Sequence, residues 1–124
     1  EVDSDGAIKK DIALVIDTPS HHSDTRNVRK TASGTYLVAH EKDGVVREYD
    51  SEGKVVWEFD VPLFGKQPKS GHGPEAFGDQ VYSATRLENG NTLIGTGNGH
   101  SVLEVTPDKE IIWKLDLFAS VSII

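Results

Sequence analysis

The sequence predicts an all-β chain built from a repeated four-stranded antiparallel unit, and three observations predict it. First, Asn89-Gly90 stands between two short β-rich runs. That dipeptide signals a hairpin, and a two-residue type I′ turn with positive φ at both central residues is expected there. Second, residues 81–116 slide back 56 positions onto residues 25–60 without a gap. Gly90 falls on Gly34, Leu93 on Leu37, Val102 on Val46, Glu104 on Glu48, Trp113 on Trp57 and Asp116 on Asp60. Third, residues 1–12 resemble residues 48–59 at an offset of 47, with Glu1, Asp3, Ser4 and Gly6 matching identically.

Composition sets the limits. The chain of 124 residues is long enough for one domain with a modest core. Its 12 glycines suit many short strands joined by turns. Cysteine is absent, which excludes disulfides, thiolate metal sites and a Cys nucleophile. The formal net charge of −7, with acids and bases interspersed, leaves no basic footprint for nucleic acid. No apolar run reaches transmembrane length. A chain that begins at Glu1 and lacks Met is expected to be a mature product or an excised piece.

In order, residues 1–16 are expected to be the end of a preceding unit, its third and fourth strands, with Lys10 where Trp belongs. Residues 17–60 form a complete unit with its leading loop, whose Thr18-Pro19-Ser20 is turn chemistry. Its strands a to d are expected at about 27–32, 35–40, 45–50 and 54–60, separated by Ser33-Gly34, Asp43-Gly44 and Glu52-Gly53. Residues 61–116 form a second complete unit. The nine residues by which 56 exceeds 47 fall in its long Gly- and Pro-rich leading connection, 61–80, and such loops on a rigid β scaffold are often binding loops. Residues 117–124 are apolar and read as passage into further structure.

A repeat of about 45 residues carrying four antiparallel strands has the spacing of a β-propeller blade. One such sheet cannot bury both faces alone, so neighbouring blades stack and share the burial. Trp57 and Trp113 are then equivalent wedges between blades. Two blades and part of a third form an incomplete ring, since propellers use about four to eight. The remaining blades of a longer chain, or self-association, would complete it. A compact β-sandwich with a coincidental repeat is the competing architecture.

Residues 48–59, an acidic-Gly turn before an apolar pair and Trp, resemble the tryptophan-docking strands of quinoprotein (PQQ-type) propellers. Residues 87–95 and 101–115 are similar to the repeats of arylsulfotransferase-like bacterial propellers. His21-His22 followed by the Gly34–His40 run strengthens that second likeness, and Gly71-His72-Gly73-Pro74 is also typical of bacterial relatives. The resemblance implies a periplasmic or extracellular protein. It also implies, if the protein is an enzyme, cofactor-free transfer of a sulfuryl group through a covalent histidine, for which His22 is the matching position. No arginine aligns with the family's.

In a four-stranded meander, the d-to-a connection and the b-to-c turn emerge at one end. His21, His22 and His72 lie in d-to-a connections, His40 ends a strand b, and His100 sits in a b-to-c turn. All five histidines are therefore expected on one face of the disc, where a central funnel opens. Imidazole can ligate a metal or act as nucleophile or base near neutral pH. His22 is the candidate catalytic residue; His21, His40, His72, His100, Arg26 and Arg86 are candidates for ligand binding. Arg26, Arg29 and Arg86, at or in the innermost strands, suit a sulfate, phosphate or carboxylate, although an ion pair with Asp24, Asp79 or a neighbouring blade is the plainer use of each. A divalent metal is the one cofactor these residues suggest. Asp3-Ser4-Asp5-Gly6 lacks the remaining ligands of a calcium loop, no quinone and calcium set is present, and the glycine-rich stretch 95–99 lacks the helix a phosphate cradle needs. Glu48 and Glu104, recurring in both units, are expected to be structural. The sequence supports a small-ligand or metal site at a His-lined funnel; a non-catalytic structural or protein-interaction propeller is the alternative.

Overall fold

The structure, a computed structural model, describes residues 1–17, 25–70 and 76–116. His21, His22, His72 and residues 117–124 lie outside the described residues. The named elements are all strands: β1 Asn27–Lys30, β2 Tyr36–His40, β3 Val45–Tyr49, β4 Val55–Asp60, β5 Val81–Arg86, β6 Thr92–Thr96, β7 Ser101–Val105 and β8 Ile111–Asp116. They form two four-stranded antiparallel meanders, β1-β2-β3-β4 and β5-β6-β7-β8, which do not close into a ring. The central strands β2 and β3 are covered on both faces; β2 is mostly apolar, while β3 also buries Arg47 and Glu48.

The turns follow one hydrogen-bond scheme. At the a-to-b ends, Thr31 N–H donates to Thr35 O and Leu87 N–H to Asn91 O, while Gly34 and Gly90 N–H donate back to Thr31 and Leu87 O. The c-to-d turns repeat it: Asp3 to Ala7, Asp50 to Lys54 and Thr106 to Glu110. Side-chain oxygens of Asp3 and Asp50 each accept two backbone N–H groups, and Thr106 Oγ1 accepts one. Only the glycine takes positive φ, 89° at both Gly34 and Gly90. These are therefore type I turns closed by a left-handed residue in a G1 bulge, and the type I′ turn expected at Asn89-Gly90 is not formed. The a strands end at Lys30 and Arg86, because Thr31 and Leu87 already belong to the turn. Lys109 occupies the position of Gly6 and Gly53, at φ 72°.

Residues 1–16 form no named strand; a bridge between Val2 and Ile8 closes their one turn. The segment nevertheless packs on the first sheet. Ile12 and Leu14 line a cavity of about 300 Å³ with Val28, Tyr36, Val38 and Tyr49. Arg47 donates to Val15 O at 2.6 Å and to Asp17 at 2.7 Å, and Tyr49 Oη accepts the Val15 N–H. Burial pushes the Tyr49 phenol up.

The two sheets share one core. Leu37, Ala39, Val46 and Phe59 from one face of the first sheet meet Val81, Ala84, Ile94, Leu103 and Val105 of the second, with Trp57 and Ile111 at the border. β5 lies against β1 and β2. The ladder register shifts between Glu48 and Tyr49, and again between Glu104 and Val105, so Val56 and Ile112 are the extra residues of two matching bulges. Both turn outward, 50% and 55% exposed, and Trp57 and Trp113 stand at one register position, opposite Glu48 and Glu104. Trp57 stacks on Phe59 and donates its indole N–H to Pro107 O at 2.9 Å. Trp113, on the corresponding face of the second sheet, is 47% exposed.

The equivalent tryptophans should therefore differ in energy. Trp57→Ala is expected to cost about 2–4 kcal/mol in urea unfolding, and Trp113→Ala less than about 1 kcal/mol. Lys109→Gly relieves a left-handed non-glycine residue and is expected to raise stability by about 1 kcal/mol at unchanged denaturant slope.

Candidate functional site

The end of the sheets carrying the b-to-c turns and the d-to-a connection is held together by backbone. Val61 N–H donates to Gly44 O, Gly97 N–H to Gln80 O and Gly78 N–H to Asn98 O, while Asn98 Oδ1 accepts from Gln80 N–H. A Cβ at Gly44 would lie 2.6 Å from the Asp79 carboxyl carbon, so only glycine allows the connection to cross this turn. The described ends of the long connection, 61–70 and 76–80, are thus tied to this end of the sheets and to each other, Lys69 being bridged to Phe77.

Three sequence-predicted residues sit at this end. Arg26 stacks on Tyr82, 4.3 Å from the ring centroid, and its Nη1 is 3.6 Å from Glu41. His100 has φ 55°. Its Nε2 donates to Ala76 O at 2.6 Å, and its Nδ1 is buried without a hydrogen-bond partner among the described residues. His40 is fully buried, its Nε2 3.0 Å from Tyr49 Oη and its ring edge-on to that tyrosine. His40 is thus buried in the core of the first sheet.

Arg86 lies at the opposite end, away from His40 and His100. One Nη donates to Glu48 Oε1 at 2.7 Å, Nε donates to Thr92 Oγ1 at 3.0 Å, and the guanidinium lies 5.6 Å from the Trp57 ring centroid. Glu48 also accepts from Thr35 Oγ1 at 2.6 Å, and Glu104 accepts from Asn91 at the matching position. The arrangement repeats one step earlier: Lys30, the counterpart of Arg86, donates to Glu1, the counterpart of Glu48, at 3.0 Å. The sequence comparison contained both acids and both cations; their pairing across sheets was the missing step. Two clefts have neither His40 nor His100 in their lining, the one under the N-terminal segment and one of about 530 Å³ between β1 and β5. Among the described residues, no three His, Asp or Glu side chains group to hold a metal ion. Among the described residues, no helix is long and apolar enough to cross a membrane.

Two stacked four-stranded meanders define a protein of the β-propeller type. The chain is similar in structure to a protein of unknown function from Bacteroides caccae (20% identity, TM-score 0.57, 77% of this chain and 29% of that one). It is similar to a streptogramin B lyase (20% identity, TM-score 0.60, 94% and 32%) and to virginiamycin B lyase from Staphylococcus aureus (17% identity, TM-score 0.58, 94% and 33%). The chain therefore spans about a third of the length of these structures. No protein-family model and no curated protein matches it.

The Glu1 carboxyl accepts from the Tyr36 hydroxyl and from Lys30, which together hold it down at about 2. Its folded pKa lies below the unfolded value, so its contribution is complete above about pH 4.5 and is lost as pH falls toward 2. Carbon-detected NMR titration of Glu1 should show this low midpoint, and Tyr36→Phe should move it up toward the ordinary carboxylate range.

Proposed function

We propose that the chain supplies blades of a β-propeller whose histidine-bearing rim binds a small ligand or a divalent metal ion. His100 carries this reading. A non-glycine residue at φ 55° bears strain of about 1–2 kcal/mol, a feature that clusters at functional sites. Because Nε2 donates to a carbonyl, Nδ1 of the neutral ring is the free acceptor, and it is buried with no donor among the described residues. A backbone carbonyl fixing one ring nitrogen while the other is left to a metal or ligand is the usual arrangement of a ligating histidine. Arg26 stands at the same end, and His21, His22 and His72 are proposed to complete the rim.

The resemblance to arylsulfotransferase-like propellers extends this to chemistry. His22 would attack the sulfur of an aryl sulfate through a ring nitrogen, and the aryl oxygen would leave with the S–O bonding pair. An acceptor hydroxyl would then take the sulfuryl group from the nitrogen and release its proton. Residence in the periplasm or outside the cell is proposed on the same resemblance alone.

A second reading, a structural or protein-interaction propeller, is favoured by the open face carrying Trp113 and Leu115, 47% and 44% exposed. Residues 1–16 are proposed to stand in for the end of a preceding blade, and further blades or another copy to cover the Trp113 face.

Calorimetric titration with zinc chloride, sodium sulfate and 4-nitrophenyl sulfate separates the readings. His22→Ala and His100→Asn are the test variants, Asn being among the residues that best tolerate positive φ. Saturable heat from at least one probe, lost in His100→Asn, is the expected outcome. No heat from any probe, or heat unchanged in both variants, removes the rim site and leaves the interaction reading.

A further inference from the structure

The cleft of about 530 Å³ between the innermost strands lies at the end opposite His100. Arg29, Lys30 and Ala32 line it from one side, and Thr85, Arg86 and Leu87 from the other. Two of its three cations are already matched, Lys30 by Glu1 and Arg86 by Glu48. Arg29 is not. Among the described residues its single hydrogen bond runs from Nε to the neutral Asn27 side chain at 3.2 Å, and no carboxylate there lies within ion-pair distance. A guanidinium carries five N–H donors, so four of Arg29's remain for another acceptor. The exposed Glu88 also borders the cleft but does not pair with it.

Two further observations point the same way. The Thr85 hydroxyl is buried beside the cleft and has no partner among the described residues, so its donor is unspent. Position 29 also breaks the repeat. Its counterpart one unit on is Thr85, so this arginine belongs to one blade only, whereas the cations that lock blades together, Lys30 and Arg86, recur. A residue the scaffold needs at every interface would recur with them.

We propose that this cleft binds the oxyanion end of a small organic acid. Arg29 is the anchoring cation, the Thr85 hydroxyl is a second donor, and Ala32 and Leu87 face the apolar part. An oxyanion matches the fork of a guanidinium through two parallel hydrogen bonds. Carboxylate and sulfate share this chemistry, and the side chains on either wall admit both. The site is separate from the histidine rim and does not depend on it.

The test follows the Arg29 Nε–H signal by NMR while sodium benzoate or sodium sulfate is added at ionic strength held constant with chloride. A saturable shift is expected. Arg29→Ala should weaken binding at least about tenfold, Arg29→Lys several-fold, and the shape-preserving Thr85→Val about threefold. His100→Asn should leave the affinity unchanged. Preference for benzoate over sulfate would identify a carboxylate with an apolar body, and the reverse a sulfate or sulfate ester. A linear shift that chloride reproduces, an affinity unchanged in Arg29→Ala, or loss of the response in His100→Asn overturns the proposal. If Arg29→Ala does not fold, judged by Trp57 fluorescence, the Thr85→Val titration decides, and an unchanged affinity there overturns it.

Discussion

Each sheet in this chain presents two unlike faces, and the structure depends on one docking onto the other. Leu37, Ala39, Val46, Trp57 and Phe59 form the face that receives the next sheet; Ala84, Ile94, Leu103 and Val105 form the face that is received. At the a-to-b end the contact is fixed by Arg86 reaching back to Glu48 beneath the Trp57 ring. An exposed ion pair alone would contribute little. Here the carboxylate is largely buried and also accepts from Thr35, so removing either partner strands a charge next to the core. The Glu1–Lys30 pair shows the same contact surviving where the strands themselves are not formed.

His100 and the Arg29 cleft lie at opposite ends of this interface, and the two ends are built differently. The rim is closed by backbone hydrogen bonds and by glycines at 44 and 78 whose added Cβ atoms would strike Asp79 and Asn98. The other end is closed by charged side chains across a cavity. Backbone closure fixes the position of Asn98 and holds His100 in its left-handed conformation. Side-chain closure leaves room between the strands.

The repeat was legible because interfaces between identical sheets demand identical residues at identical offsets. Trp57 and Trp113, Glu48 and Glu104, and the turn glycines all carried that signal. The turn type was misread because Asn-Gly was judged as a dipeptide. The pairing of Leu87 with Asn91 makes the loop one residue longer and leaves positive φ to Gly90 alone. His40 was read as a rim residue from its place at a strand end. That position does not reveal that Tyr49, across the ladder, offers its hydroxyl to the imidazole inside the core. Arg86 was grouped with the histidines because it shares an innermost strand with the rim. Which end of that strand it occupies decides its partner. The orphaned Nδ1 of His100 has no sequence signal, since it is defined by what fails to reach it, and Arg29 was legible only as one of three innermost arginines, its lack of a carboxylate among the described residues showing in the structure alone.

Because the receiving and received faces are different surfaces, every new sheet exposes the same surface its predecessor just covered. A gene of this kind can gain or lose one whole unit by recombination between homologous segments without creating a novel junction. Variation in blade number is then cheap, and the unique side chains, rather than the shared ones, record which blade a descendant came from.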